Sequence, residues 1–249
     1  MAELESSAPH LGKASTRNDL VSWGAQPDLI AGSSQSSGRV LYKGPGGQPE
    51  AGVWVCTPGR WRLAIPRDEL CYFVAGRADY RRDDGERVEI QTRTLVLFPA
   101  GWSGECTVHE TLRNTYMLTA ADGAAAAPVQ PPAPPPATPV LRDPLAQTAL
   151  VDWGPIPTML EGVSHTSGKL LHKGPAGRSE CGIWRCTPGR WRCHVTRDEY
   201  CHFLDGRSTY VHDSGEVIEI APDTVAFFPQ DWQGICTVHE TVTKVYMIR

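Results

Sequence analysis

The chain has 249 residues, 41% of them hydrophobic, and a formal charge of −4 at neutral pH. This length suits two domains of ordinary size, each with enough apolar side chains for a packed core. The basic residues are scattered among Asp and Glu, which argues against the clustered positive surface of a nucleic-acid-binding protein. No run approaches the roughly 20 apolar residues of a membrane-spanning helix, so neither nucleic acid nor a membrane is expected as a partner.

The opening segment, MAELESSAPHLGKAS, is polar and lacks the apolar run of a secretory signal. We therefore expect residues 1–19 to form a flexible N-terminal arm and the protein to reside in the cytoplasm. In that reducing compartment the eight cysteines are expected to be free thiols.

Short strands separated by Gly and Pro are predicted from Leu20 to residue 119. The turn sequence Asp83-Asp84-Gly85 predicts a β-hairpin between two of them. Many short strands with such turns are typical of a sandwich or barrel. The predicted strands are Gly52–Cys56, Trp61–Ile65, Leu70–Val74, Ala78–Arg82, Arg87–Ile90, Thr94–Phe98, Gly104–Val108 and Thr115–Leu118.

The segment of residues 120–145 is rich in proline and alanine, and it contains few large apolar side chains. Such a composition favours an extended, semi-rigid linker. The one helix-period pattern in the chain is a short turn near Asp143 to Ala149. We therefore predict one domain over residues 20–119, a linker over 120–145 and a second domain over 146–249.

The two predicted domains are copies of one another. Cys56-Thr-Pro-Gly-Arg-Trp-Arg62 is matched by Cys186-Thr-Pro-Gly-Arg-Trp-Arg192, and Cys106-Thr-Val-His-Glu-Thr111 is matched by Cys236-Thr-Val-His-Glu-Thr241. A shift of 130 positions aligns the two copies without a gap. A period of this length is too long for a solenoid, so each copy should be a whole domain.

Two motifs in each copy resemble the cupin motifs. The first is Glu69-Leu-Cys-Tyr-Phe-Val-Ala-Gly76, matched by Glu199-Tyr-Cys-His-Phe-Leu-Asp-Gly206, and the second is Phe98-Pro-Ala-Gly101-Trp-Ser-Gly104, matched by Phe228-Pro-Gln-Asp231-Trp-Gln-Gly234. The residues of these motifs are most similar to the ureidoglycine aminohydrolase-like and ethanolamine-utilisation-like branch of the RmlC-like cupin superfamily. The resemblance implies an all-β bicupin, that is, two tandem jelly-roll barrels of the double-stranded β-helix type. It implies the fold more firmly than the reaction, because this fold hosts many chemistries.

Metal-dependent cupins carry His-x-His, four further residues and Glu, with another His in the second motif. Alternate residues of a strand share one face, so both imidazoles enter the barrel and bind a divalent transition metal. In the first copy Arg62 and Ala64 stand before Glu69, which indicates a degenerate N-terminal site of Arg62, Glu69 and Trp102.

The second copy has Arg192 and His194 before Glu199. His194 and Glu199 are therefore the candidate ligands if a divalent transition metal binds in the C-terminal barrel, and no other cofactor is expected. Arg192 is either the partner of a buried Glu199 or a bidentate clamp for a bound anion. Arg62 and Glu69 offer the same alternatives.

The resemblance suggests two functions. In the first, Arg192, His194 and Glu199 are the catalytic residues of a hydrolase-like or degenerate enzyme acting on a small, polar, anionic nitrogen compound. Arg192, Trp232, Cys201 and Cys236 would then contact the substrate. In the second, the protein is a non-catalytic bicupin that binds a small-molecule ligand or serves as an assembly module. The barrels are expected to pack as a pseudo-dimer, and a homodimer is compatible with either function.

Overall fold

The computed structural model describes residues 6–120, 137–174 and 179–249. Within these residues almost all regular structure is strand, arranged in two antiparallel ten-stranded sheets. The chain divides into two units, with the boundaries between Asn18 and Asp19 and between Arg142 and Asp143. The prediction of an all-β chain with two tandem domains is confirmed. No helix in the described part of the chain is long and apolar enough to cross a membrane.

The strands are numbered in chain order, beginning with β1 (His10–Leu11), and two short 3₁₀ turns cover Pro45–Gly47 and Pro144–Ala146. The N-terminal sheet contains β2 (Val21–Ala25), β3 (Leu29–Gly32), β4 (Gln35–Lys43), β5 (Glu50–Cys56), β6 (Gly59–Ile65), β7 (Asp68–Arg82), β8 (Arg87–Ile90), β9 (Thr94–Phe98), β10 (Trp102–Thr119) and β11 (Val140–Arg142). The C-terminal sheet contains β1, β12 (Val151–Pro155), β13 (Met159–Glu161), β14 (His165–Lys173), β15 (Glu180–Cys186), β16 (Gly189–His194), β17 (Glu199–His212), β18 (Val217–Ile220), β19 (Thr224–Phe228) and β20 (Gln233–Ile248).

Two long strands hold each barrel together. β7 and β10 pair along most of their length, and β10 continues to β5 on one part of its edge and to β6 on another. In the other unit β17 and β20 do the same with β15 and β16. The sequence pattern divided β7 in two because Gly76, near its middle, reads as a break, and it divided β10 between Val108 and Thr115.

That glycine is where the long strand passes close to its neighbour. Gly76 has φ +90°, and a Cβ on it would lie 2.3 Å from the Thr111 carbonyl oxygen. Gly206 has φ +82°, with the equivalent distance to Thr241 at 2.2 Å. The register between the paired strands shifts at the same level. Only glycine fits this conformation and this approach, which gives the Glu-to-Gly spacing of the first motif its physical reason.

The N-terminal arm is part of the C-terminal unit, so the expectation of a flexible arm is wrong for residues 6–18. His10 and Leu11 pair with β19, and Leu11 is 8% and Ala14 0% exposed. The Asp223 carboxylate accepts hydrogen bonds from the Ser15 backbone N–H and hydroxyl, the latter at 2.6 Å. The sequence of this short, polar segment does not indicate a strand. The segment becomes ordered because it covers the open edge of β19.

The end of the predicted linker completes the N-terminal sheet in the same way. β11 pairs with β9, and the Glu86 carboxylate accepts bonds of 2.7 and 2.6 Å from the Thr138 backbone and hydroxyl. The rest of the predicted linker, residues 121–136, lies outside the described residues. Each sheet is thus completed by the segment that precedes the other copy, and the predicted linker ends earlier than residue 145.

Candidate functional site

Each barrel encloses a cavity of about 240 Å³, lined by equivalent residues of the two copies. The N-terminal cavity has aromatic walls that include Trp54 and Trp61, with Glu69 and Asn114 among its polar groups. Trp23, which is 43% exposed, also lines it, so the cavity reaches the surface. Apolar walls with a few convergent polar groups are typical of small-molecule sites.

The C-terminal cavity contains a buried ion pair. Lys244 Nζ lies 2.7 Å from a Glu199 carboxylate oxygen and 3.2 Å from the Cys201 sulfur. It also lies 4.7 Å from the centre of a Trp184 ring and 5.6 Å from that of Phe203, close enough for cation–π attraction. Lys244 comes from β20, and Glu199 and Cys201 come from the neighbouring β17.

The groups around Lys244 keep its side chain charged. Burial on its own disfavours the ammonium form, but the nearby Cys201 sulfur and Glu199 carboxylate raise the pKa of Lys244 above its usual value. Burial raises the pKa of Cys201 well above that of an ordinary thiol, and the neighbouring Glu199 charge acts in the same direction. The centre is therefore an ammonium–carboxylate pair beside a protonated thiol.

The N-terminal cavity has the same carboxylate and thiol but no lysine. The Cys71 thiol donates to Glu69 at 3.2 Å, and the Asn114 amide nitrogen donates to Cys71 at 3.1 Å. Within the described part of the chain the buried Asn114 Oδ1 has no hydrogen-bond partner. Burial is the main cause that raises the pKa of Glu69, and the hydrogen bond from Cys71 and the charge of Arg67 oppose it only in part. This centre is an uncompensated carboxyl group beside an unused acceptor.

The two arginines that the motif spacing placed inside the barrels lie outside them. Arg192 is exposed and binds Asp213 through both guanidinium branches, with Nη1 2.6 Å from Oδ1. Arg62 binds Asp83 in the same way, at 2.8 and 3.0 Å. The predicted pairs of Arg192 with Glu199 and of Arg62 with Glu69 are therefore wrong, and neither arginine faces a cavity as an anion clamp.

Strand alternation explains the difference. Trp191, Cys193 and Val195 line the C-terminal cavity, so the intervening Arg192 and His194 face the other way. The motif spacing counted back from Glu199 assigned the inward face of β16 to residues one position away from those that line the cavity. Because the side-chain period of a strand is two, that single position moves every side chain to the opposite face.

His194 is consequently not a neighbour of Glu199. Its side chain is 50% exposed, and its Nε2 lies 3.6 Å from an Asp231 carboxylate oxygen. No cluster of three or more His, Cys, Asp or Glu side chains in the described residues could hold a metal ion. The inward positions that flank His194 carry Cys193 and Val195, while Glu199 is bonded to a lysine, so these residues do not fit a divalent transition metal.

Three other predicted site residues, Trp232, Trp102 and Cys236, are core residues. Trp232 packs edge-on against Phe228, with ring centres 5.4 Å apart, and its indole N–H donates to Ser7 at 3.1 Å. Trp102 packs against Phe98 in the same manner at 5.6 Å. Cys236 is completely buried in the hydrophobic core of its barrel. Of the predicted residues, only Glu199 and Cys201 in the second copy, and Glu69 in the first, belong to the two centres.

The sequence interpretation missed Lys244 and Asn114. Lys244 stands in the apolar run Val-Thr-Lys-Val-Tyr-Met of a strand, at the position where the first copy has Asn114. A charged residue on the inward face of a buried strand, at a point where two copies differ, was the available signal. The first motif alone carries no sign of Lys244, because β17 and β20 meet only in the fold.

Several solved structures share this architecture at low sequence identity. A protein of unknown function of the DUF861 family from Pseudomonas syringae has a TM-score of 0.72 at 16% identity, covering 97% of this chain and 99% of that one. The putative glyoxylate-induced protein from Pseudomonas aeruginosa has a TM-score of 0.66 at 11% identity, over 99% and 89% of the two chains. A mutant of oxalate decarboxylase from Bacillus subtilis has a TM-score of 0.51 at 12% identity, over 96% and 76%. These likenesses establish the fold.

No curated protein matches the chain by sequence. The model of the EutQ-like cupin domain, however, matches residues 43–116 and again residues 173–246. The two matched segments lie within the two copies, contain both motifs and together make up more than half of the chain. This chain belongs to the EutQ-like cupin domain family and carries that domain twice.

Proposed function

We propose that this protein is a non-catalytic bicupin that binds a small organic molecule in the cavity of its N-terminal barrel. The observation that carries the proposal is the centre formed by Glu69 and Asn114. A half-buried carboxyl group without a charged partner and a buried acceptor without a donor are costly in a folded protein unless a ligand satisfies them. Both groups line one aromatic cavity that reaches the surface.

The size of the cavity limits the ligand. Its volume of about 240 Å³ is larger than that of a dry cavity of about 150 Å³ that binds benzene. The ligand is therefore a compound of about the size of benzene or somewhat larger, and the aromatic walls favour one with an apolar part. The C-terminal cavity is equally large, but Glu199 and Lys244 already satisfy each other there.

The geometry favours binding over hydrolysis. The aminohydrolase-like hypothesis placed Arg192 and His194 beside Glu199, whereas both side chains face the other side of the strand. Arg192 binds Asp213 there, and His194 lies near Asp231. A thiol nucleophile is also disfavoured. Burial raises the pKa of Cys193, which lines the C-terminal cavity, to about 11, and a reactive cysteine needs a depressed pKa.

Titration with a panel of short amines, alcohols and carboxylates, followed by tryptophan fluorescence and calorimetry, tests the proposal. We expect at least one member to bind the native chain. Leu63→Trp should abolish the binding because Leu63 lines the N-terminal cavity, and the matched Cys193→Trp in the C-terminal cavity should leave it intact. Arg192→Gln, outside both cavities, is the surface control.

The proposal fails if no member of the panel binds to the native chain. It also fails if Leu63→Trp, folded as judged by circular dichroism, binds the ligand as well as the native chain does.

A further inference from the structure

We infer that the ligand of the N-terminal barrel is a small organic ammonium ion, whose nitrogen occupies the place that corresponds to Lys244 Nζ in the C-terminal barrel. The inference rests on the proposed function and names the chemical class of ligand for that same cavity.

The C-terminal barrel shows what this interior holds. The Lys244 ammonium group lies against Glu199 at 2.7 Å, the Cys201 sulfur at 3.2 Å and the Trp184 ring at 4.7 Å. A carboxylate and an aromatic face are the groups that recognise an alkylammonium ion. Lys244 is in effect an alkylammonium ligand attached to the chain.

The N-terminal barrel keeps this surrounding and lacks the cation. Glu69, Cys71 and Trp54 correspond to Glu199, Cys201 and Trp184 in the internal repeat, and all three line the cavity. The strand pairing is equivalent, because Asn114 lies opposite Trp54 and Phe73, as Lys244 lies opposite Trp184 and Phe203. The short Asn114 side chain replaces the lysine.

The unsatisfied groups of the N-terminal cavity also select a cation that donates hydrogen bonds. An ammonium group can donate to the Glu69 carboxylate and to Asn114 Oδ1, which has no partner among the described residues. Glu50 also lines the cavity, and its side chain binds the largely exposed Lys43 at 3.2 Å. An anionic ligand would meet Glu69 and Glu50 without a buried cation to balance it.

The test exchanges the residues that distinguish the copies. Butylammonium is titrated calorimetrically into the full chain in an amine-free buffer, with butyrate and 1-butanol as ligands of similar size but different charge. We expect butylammonium to bind the native chain at one site and to bind at least about tenfold more tightly than either control.

Asn114→Lys supplies the N-terminal barrel with its own ammonium group and should weaken butylammonium binding by at least about tenfold. Its fold is checked by circular dichroism, and the C-terminal barrel already accommodates the same arrangement. Lys244→Asn gives the C-terminal barrel the N-terminal residue and should add a second site per chain. His194→Ala is the control outside the cavity and should leave the binding of the native chain unchanged.

Three outcomes would overturn the assignment. The first is that butyrate or 1-butanol binds the native chain as well as butylammonium does. The second is that the folded Asn114→Lys variant retains full affinity. The third is that Lys244→Asn gains no second site. If a neutral or anionic compound binds and Leu63→Trp abolishes that binding, the proposed function survives and the ammonium assignment fails.

Discussion

Glu199 and Glu69 occupy equivalent positions, yet we expect their loss to have opposite effects on stability. Glu199→Gln removes the charge that balances Lys244, whose side chain is only 8% exposed. Loss of one partner from a buried ion pair costs about 3–5 kcal/mol, and because 18% of the Glu199 side chain remains exposed we expect the lower end, about 3 kcal/mol. For a domain of this size that corresponds to a decrease in Tm of about 10 °C or more for the C-terminal barrel.

Glu69→Gln is the matched variant in the other copy. Burial raises the pKa of Glu69, and a carboxyl group with a raised pKa in the folded state destabilises the fold once the pH exceeds its unfolded pKa, about 4.3. Removal of this charge should leave the stability of the N-terminal barrel unchanged or higher at neutral pH. The advantage of Glu69→Gln should shrink as the pH falls and Glu69 becomes protonated in both states.

The measurement is thermal and urea unfolding of the full chain, with hydrogen exchange to assign each transition to a barrel. In Glu199→Gln, early exchange should be confined to β17, β20 and the strands beside them. Restoration of stability by the double variant Glu199→Gln, Lys244→Met would confirm that the unbalanced lysine is the cause. Equal and small effects of Glu199→Gln and Glu69→Gln would refute the reasoning, because they would mean that Lys244 reaches solvent.

Two further predictions concern the arm and the thiols. Asp223→Asn removes charge-assisted hydrogen bonds to Ser15 and His202, each worth about 1.5–3 kcal/mol. It should therefore increase the rate at which a protease cleaves within residues 6–17. Cleavage of the variant at the same rate as the native chain would contradict the packing of the arm. Burial alone would raise the pKa of Asp223, but the bonds from His202 and Ser15 lower it, so the arm should stay bound above the unfolded pKa of about 3.9 and detach only as the pH falls through the lower folded value. Cys193, with its pKa raised to about 11, should react slowly with iodoacetamide at neutral pH and faster as the pH rises, as followed by mass spectrometry; rapid labelling of the native chain at neutral pH would contradict this environment.

The sequence alone determined the repeat, the strand-rich fold and the family. These features depend on local information. Three features can be recognised without knowing which residues meet in space. They are the turn at Asp83-Asp84-Gly85, the spacing between Glu69 and Gly76, and the match between the two copies. The hairpin is present, and the Gly85 backbone N–H donates to the Arg82 carbonyl oxygen at 2.9 Å.

Only the tertiary structure decided which side chains face the cavities. A strand predicted from its composition has two faces, and the choice between them depends on where the preceding turn ends and on the register with the partner strand. A difference of one position moved Arg192 and His194 to the surface and put Cys193 on the inside. Lys244 meets Glu199 only because β17 and β20, far apart in the chain, are neighbours in the sheet. The arm at Leu11 follows the same rule, because its order comes from the open edge of β19 and not from its own residues.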